Sequence, residues 1–243
     1  MSLQSNDKQR ELDGIRAFYD DEYYASNVDK QHKLPWHCRM AARGLTLVRG
    51  GDVLDVACGT GAWLGQFSSM GARTISGIDL SIKAIEAARV AYPDGDFRAG
   101  PAEVLPFPNA SFDVVTCMGS LEHFVDKLGA LREMLRVARP NAEFLLLVPN
   151  AGFLSRRLGL YGGTHQIKVK EDVMSLDEWA ALFRSAGLTV RQRRRDLHPL
   201  SWRWIVHGKW PTWPFRAIQA ILLGLWPVAW QYQVYHYAQR NKG

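Results

Sequence analysis

Residues 53–64 read VLDVACGTGAWL, a β-branched run that breaks at Gly59 and Gly61 and resumes as a helix-forming segment. The two glycines permit a tight turn and close approach of backbone to a ligand, and the helix that follows offers free N–H groups to a carboxylate or phosphate. From here to about residue 150, short strand-like runs alternate with helical periods, the pattern of βαβ units around a parallel sheet. The pattern predicts strands at 53–57, 74–79, 96–98, 113–118 and 143–148. It predicts helices at 81–92, capped by Ser81, and at 125–138, where Leu128, Leu131, Leu135 and Ala138 recur at helical spacing before Pro140. A further helix over 175–185 opens on the Ser175/Glu178 capping box and closes at Gly187.

The rest of the chain departs from this alternation. Residues 11–24 predict an amphipathic helix with Ile15, Phe18 and Tyr19 on one side, able to cover the sheet or cap a site. Residues 188–197 and 231–239 read as two more strands, joined by 33 residues that hold six of the nine tryptophans: Trp202, Trp204, Trp210, Trp213, Trp226 and Trp230. An unstructured connection of that length does not suit a compact domain, so residues 198–230 are expected to form an insert or lid with a helix around 215–225.

Composition excludes several classes. With 243 residues, 47% apolar and 22% charged, the chain can bury a full core. Its 21 glycines and 11 prolines follow no period. Cys38, Cys58 and Cys117 form no CxxC pair, so neither a disulfide framework nor a zinc site is readable, and a reducing cytoplasm is expected. The first fifteen residues lack the apolar core of a secretory signal, and residues 217–230 are interrupted by Gln219, Gly224 and Pro227, so no transmembrane helix is expected. Lys plus Arg against Asp plus Glu gives −3 for residues 1–150 and +9 for 151–243. That excess suits an anionic membrane surface, nucleic acid or an acidic substrate, or is simply a solvated face.

The second strand ends at Asp79, 18 residues beyond Gly61. That is close to the roughly 20-residue spacing at which a carboxylate meets the ribose hydroxyls of a bound nucleoside, so loop and acid together predict an adenosine-type cofactor. A dinucleotide loop wants Gly or Ala at the position of Leu64, which weakens a nicotinamide-cofactor oxidoreductase reading.

The DxxCGTG run from Asp55, GIDLS at 77–81, AEVLPF at 102–107, SFDVVTCMGSLEHF at 111–124 and LRVARPNAEFLLLVPN at 135–150 resemble, in order and spacing, the motifs of class I S-adenosylmethionine-dependent methyltransferases. The likeness is to the ubiquinone/menaquinone-biosynthesis type and its small-molecule relatives. It implies a Rossmann-like α/β fold: a seven-stranded, mostly parallel sheet with helices on both faces, an antiparallel last strand, and the Trp-rich insert between the last two strands. Residues 1–46 would form an N-terminal helical cap on a methyltransferase domain of residues 47–243. S-adenosylmethionine is the implied cofactor, with Ala57, Gly59 and Gly61 along its methionine part, Asp55 organising the loop, Asp79 on the ribose and Leu80 beside the adenine. Where the family places an acid and a backbone N–H at the adenine edge, this chain has Pro101 and Ala102, leaving Glu103 to replace the lost contact. Cys117 and Met118 would line the cofactor near its sulfur.

For catalysis, His123 just past the fourth strand is placed to deprotonate a hydroxyl acceptor, or forms a structural pair with Glu122. His165 and Tyr161, in the glycine-containing loop LGLYGGTHQ at 158–166, are the other candidates. A metal-binding Glu-x-x-Glu-His arrangement would need Glu where Gly119 stands, so no metal is expected. The expected activity is methyl transfer to a small or amphipathic acceptor, most readily at oxygen, with a catalytically silent binding subunit as the alternative. No nucleic-acid motif is present. Arg191, Arg193 and Arg195 are expected on one face of a strand and, with the Trp-rich insert, could hold an anionic acceptor or rest on lipid headgroups.

Overall fold

The computed structural model describes residues 2–25, 34–159, 172–206 and 210–241. Seven strands form one sheet: β1 (Asp52–Val56), β2 (Thr74–Asp79), β3 (Asp96–Ala99), β4 (Phe112–Met118), β5 (Ala138–Pro149), β6 (Leu188–Arg195) and β7 (Gln233–Arg240). Their order is β3-β2-β1-β4-β5-β7-β6. Strands β1 to β5 run parallel, while β7 is antiparallel to both β5 and β6. Order reverses between β1 and β4, and in open α/β sheets that switch point is where ligands bind. The expected seven-stranded, mostly parallel sheet with its antiparallel end is present.

Both faces are covered, which is why β1 is buried at all five positions. On one side α2 (Trp36–Ala42), α3 (Ala62–Ser69) and α4 (Ile82–Ala91) enclose Leu64, Phe67, Ile85 and Tyr237. On the other, α5 (Lys127–Val137) and α7 (Leu176–Ala186) enclose Leu131, Met134, Phe144, Trp179 and Phe183. The Ser81 cap and the Ser175/Glu178 capping box are formed, and Gly187 closes α7 in the left-handed region at φ 97°.

Three elements differ from the sequence expectation. The N-terminal helix α1 spans Ser2–Phe18, starting nine residues earlier than its apolar periodicity indicates, and widens into a π-helical turn over Tyr19–Tyr23. Its first turns are polar, so no hydrophobic spacing marks them. Strand β5 begins at Ala138, because Arg139 bonds Asp113 and Asp52 and draws that segment onto the sheet's lower edge. The arginine run does not alternate as expected: a bulge between Val190 and Gln192 takes Arg191 out of register. Beyond it, Arg193 donates to Leu176 O, Arg195 donates to Gly224 O, and Arg194 stacks over Tyr237 from the other face. The β6–β7 connection contains α8 (Trp202–Ile205) and α9 (Trp213–Leu225), the latter where the helix was expected. After β5, the chain makes a short helix α6 (Leu154–Arg157).

Trp179 is fully buried, and its indole N–H donates to Pro149 O at 2.7 Å, clamping the C-terminal end of β5 to α7. Trp179→Ala should cost about 3–5 kcal/mol in urea unfolding, from lost transfer energy, the cavity and an unpaired carbonyl.

Candidate cofactor and acceptor site

The loop after β1 takes three left-handed residues in five: Ala57 at φ 60°, Gly59 at 54° and Gly61 at 82°. Ala57 pays a steric cost there that a glycine would not. A Cβ on Gly59 would lie 2.7 Å from the Tyr24 hydroxyl, and one on Gly61 would press on Tyr92 and Phe97 at 3.1–3.3 Å, so only glycine lets these groups approach.

Asp79 fixes the loop. One carboxylate oxygen accepts the Gly59 N–H and the other the Ser81 N–H, both at 2.9 Å. Burial pushes this carboxyl up, an effect opposed by those two N–H bonds and reinforced by the nearby Asp20 carboxylate. Asp20, on the π-helical turn, accepts the Ser81 hydroxyl at 2.5 Å, and Arg16 donates to Leu80 O at 3.2 Å. These bonds hold the N-terminal helix across the C-terminal ends of β1 and β2.

Beneath the helix lies a cavity of about 640 Å³ whose wall includes Leu12, Ile15, Asp79, Leu80, Ala102 and Glu103. Pro101 is also on this wall, so the substituted adenine-edge position faces the space it was assigned to. Glu103 accepts the Asp126 N–H at 3.1 Å and is thereby held in place. A second cavity of about 1130 Å³ includes Asp55, Gly59, Thr60, Trp63, Met118 and Gly119. Ala57, Tyr19, Tyr24 and His123 line both. An elongated ligand with an apolar and a polar end therefore has one continuous bed.

Asp55 is fully enclosed and accepts the Thr116 hydroxyl at 2.6 Å. Burial pushes its carboxyl up to about 7, while the Thr116 bond pulls it down and Asp79 adds to the rise. Thr60 Oγ1 is buried with no hydrogen-bond partner among the described residues, an orphaned polar atom in the loop itself. A ligand carrying a cation and a carboxylate fits these groups: the ammonium suits Asp55, and the carboxylate suits the loop's N–H groups and Thr60.

Two expectations are corrected or fall outside view. Cys117 does not line the cofactor space: its thiol is fully buried in the α5/α7-side core, because alternation along β4 turns Thr116 toward Asp55 and Cys117 away. Burial first, and Asp55 and Glu122 next, push that thiol well up. Tyr161 and His165 lie outside the described residues. Among those described, no group of three His, Cys, Asp or Glu side chains could hold a metal. The residues missed from sequence are Asp20, Thr60, Trp63, Tyr24 and Thr116. All five lie inside segments the sequence marks, Asp20 and Tyr24 in the N-terminal helix, Thr60 and Trp63 in the glycine turn and Thr116 in the 111–124 motif, but nothing local singles out these side chains.

A glycine turn at the switch point, a ribose-height carboxylate on the neighbouring strand and a lid over both define a nucleoside-binding Rossmann-like enzyme. A family described as Methyltransferase domain matches residues 54–146. The chain is 34% identical over 185 residues to a ubiquinone biosynthesis O-methyltransferase from Paracidovorax citrulli, covering 68% of this chain and 75% of that one. It is 33% identical over 151 residues to a demethylmenaquinone methyltransferase from Renibacterium salmoninarum, covering 60% and 62%. A methyltransferase solved in complex with the Haloferax volcanii Trm112 activator superimposes at TM-score 0.68 with 21% identity, covering 96% of this chain and 97% of that one. The chain belongs to the S-adenosylmethionine-dependent methyltransferases, and S-adenosylmethionine is its cofactor.

The raised Asp55 carboxyl has a sign that can be measured. A carboxyl of the unfolded chain ionises near 4, so the free protein loses stability as pH rises from about 4 through 7. Asp55→Asn keeps an acceptor for Thr116 and removes that loss. Urea unfolding between pH 4.5 and 8 should show the variant gaining about 2–4 kcal/mol on the wild type with rising pH.

Proposed function

We propose that the enzyme methylates a hydroxyl oxygen of a small or amphipathic acceptor, working in the cytoplasm or at a membrane face of it. The observation that carries this reading is His123, which lines both cavities at the junction between the cofactor bed and the open space beside Trp63 and Met118. The named relatives that methylate oxygen, the ubiquinone-biosynthesis enzyme among them, support it.

When bound, the cofactor supplies a sulfonium-activated methyl group, so the protein needs no covalent intermediate. Asp79 holds the ribose hydroxyls, and the Ala102 N–H with Glu103 takes the adenine edge that Pro101 leaves. Asp55 and the Gly59–Gly61 turn fix the methionine end. Tyr19, Tyr24 and the N-terminal helix exclude water, with residues 1–46 as cap and 198–230 as a second cover. Met118 bounds the space beside the reacting carbon. His123 accepts the proton of the attacking hydroxyl as the oxygen–carbon bond forms and the carbon–sulfur bond breaks, so the acceptor leaves as a neutral ether. Tyr161 and His165 are second candidates for contacting the acceptor.

His123→Ala should lower turnover on a phenolic acceptor by about 10²- to 10⁴-fold, with the affinity for S-adenosylhomocysteine kept within threefold. Equal turnover in the variant would remove His123 as the base and leave His165 to be tested.

A further inference from the structure

Helix α9 is held by one side only. Ala220 is buried, a Cβ on Gly224 would meet Leu200 at 3.2 Å, and Gln231 Nε2 donates to Leu223 O at 2.7 Å. The opposite side carries Phe215, Ile218, Ile221, Leu222 and Leu225, which at helical spacing form one stripe. With Trp210 on the turn before the helix, these six side chains are between 51% and 76% exposed. Trp202, packed edge-on to Trp213 at 6.2 Å, extends the same apolar surface. A soluble monomer rarely exposes a contiguous patch of this kind without a use for it.

The last part of the sequence is basic. After Asp196 the sequence contains no Asp or Glu, against five Lys and Arg. At the root of the helix lies a separate cavity of about 810 Å³ whose lining includes His37, Arg193, Arg194, Arg195, Val228 and Tyr235. None of the three arginines forms an ion pair among the described residues. His37 is 6% exposed and its Nε2 has no hydrogen-bond partner among the described residues, while Nδ1 lies 3.2 Å from Asp196 Oδ1. Its bonds to Asp196 and Cys38 outweigh burial and raise it to about 9, so at neutral pH that buried nitrogen is an unsatisfied donor. No Asp or Glu is among the described residues lining this cavity, and the neighbouring Asp196 carboxylate pairs with His37, leaving the arginine charge uncompensated.

We infer that α9 and the basic cavity at its root form a docking face for an anionic phospholipid bilayer, with the apolar stripe at acyl-chain depth and a headgroup phosphate on His37 and Arg194–Arg195. This inference rests on the amphipathic-acceptor reading and gives that acceptor a place to enter from. An amphipathic helix with aromatic residues and surrounding cations lies in the membrane interface, and none of the described helices is long and apolar enough to cross one. A second copy of the chain would bring the same positive charge against this face, which argues against self-association. The face also sits where an acceptor would be delivered. Asn150, at the C-terminal end of β5, holds the 228–230 turn through its bonds to Ala229 O and Gln231 O at 2.9 and 3.0 Å. Tyr235, on the wall of the basic cavity, packs against Trp63, on the wall of the larger of the two site cavities, with ring centroids 6.3 Å apart.

The test is flotation of the cofactor-free full chain with vesicles of phosphatidylglycerol and phosphatidylcholine in equal parts, and with phosphatidylcholine alone. The expected result is binding to the anionic vesicles, at least tenfold weaker on the zwitterionic ones and weakened by salt, with a blue shift of tryptophan emission. Phe215→Ser with Leu225→Ser, both on the exposed stripe, should reduce binding more than tenfold at unchanged thermal midpoint and S-adenosylhomocysteine affinity. Arg194→Gln and Arg195→Gln should each weaken binding to anionic vesicles about fivefold. No binding to either vesicle would overturn the inference. So would a dimer that the Phe215/Leu225 variant dissociates, or a thermal shift with inorganic phosphate in a protein that ignores vesicles. Failure on vesicles with S-adenosylhomocysteine still bound would reject the docking face alone; loss of cofactor binding would reject the enzyme reading alone.

Discussion

One buried carboxylate organises the site. Asp79 accepts the Gly59 N–H from the loop after β1 and the Ser81 N–H at the start of α4, so a single side chain joins two crossovers at the switch point. The arrangement is costly, because a buried carboxylate must be fully hydrogen-bonded to be tolerated. Those bonds come from backbone donors that the turn and the helix start would otherwise leave exposed. The Asp20 carboxylate, reaching Ser81 from the lid, extends the same network to the N-terminal helix. Loop, lid and second strand are thus coupled through one residue and its neighbour.

Division of labour follows from where burial falls. Asp55 and Asp79 are both enclosed; the Asp79 charge adds to the rise of the Asp55 carboxyl, and the Asp20 carboxylate adds to that of Asp79. Among the described residues the Asp55 carboxyl has the neutral Thr116 hydroxyl as its side-chain partner and is raised by burial to about 7, which leaves it ready to gain from an arriving cation. Asp79 has two charge-stabilising N–H bonds and is suited to accept hydroxyl donors. Two carboxylates at adjacent strand ends therefore differ in character, one held by a neutral hydroxyl and the other by two backbone N–H groups, and the proposed assignment of the cation to Asp55 and the sugar to Asp79 uses that difference.

Much of this was legible in the sequence, for a physical reason. Glycines that must adopt positive φ, an acid at the tip of the next strand and β-branched runs at crossover spacing are local signals, and Gly59, Gly61, Asp79 and the seven strands express them. Cys117 failed because strand alternation alone does not say which face of β4 a residue takes when both faces are buried. Asp20, Thr116 and Tyr24 act from segments distant in sequence, through contacts that only the folded chain creates. The arginine run went wrong at Arg191 because a bulge, which has no fixed residue signature, breaks period two. The Trp-rich connection was read as an insert, while which of its faces turns outward followed only from the anchoring of α9 through Gly224 and Gln231.

Calorimetric titration of S-adenosylhomocysteine into the wild type and Asp79→Ala examines the central claim most directly. The account predicts a single site in the wild type and an affinity about 10- to 100-fold lower in the variant, the cost of losing a charged hydrogen-bond partner. Binding within twofold of the wild type in a folded Asp79→Ala protein would contradict it.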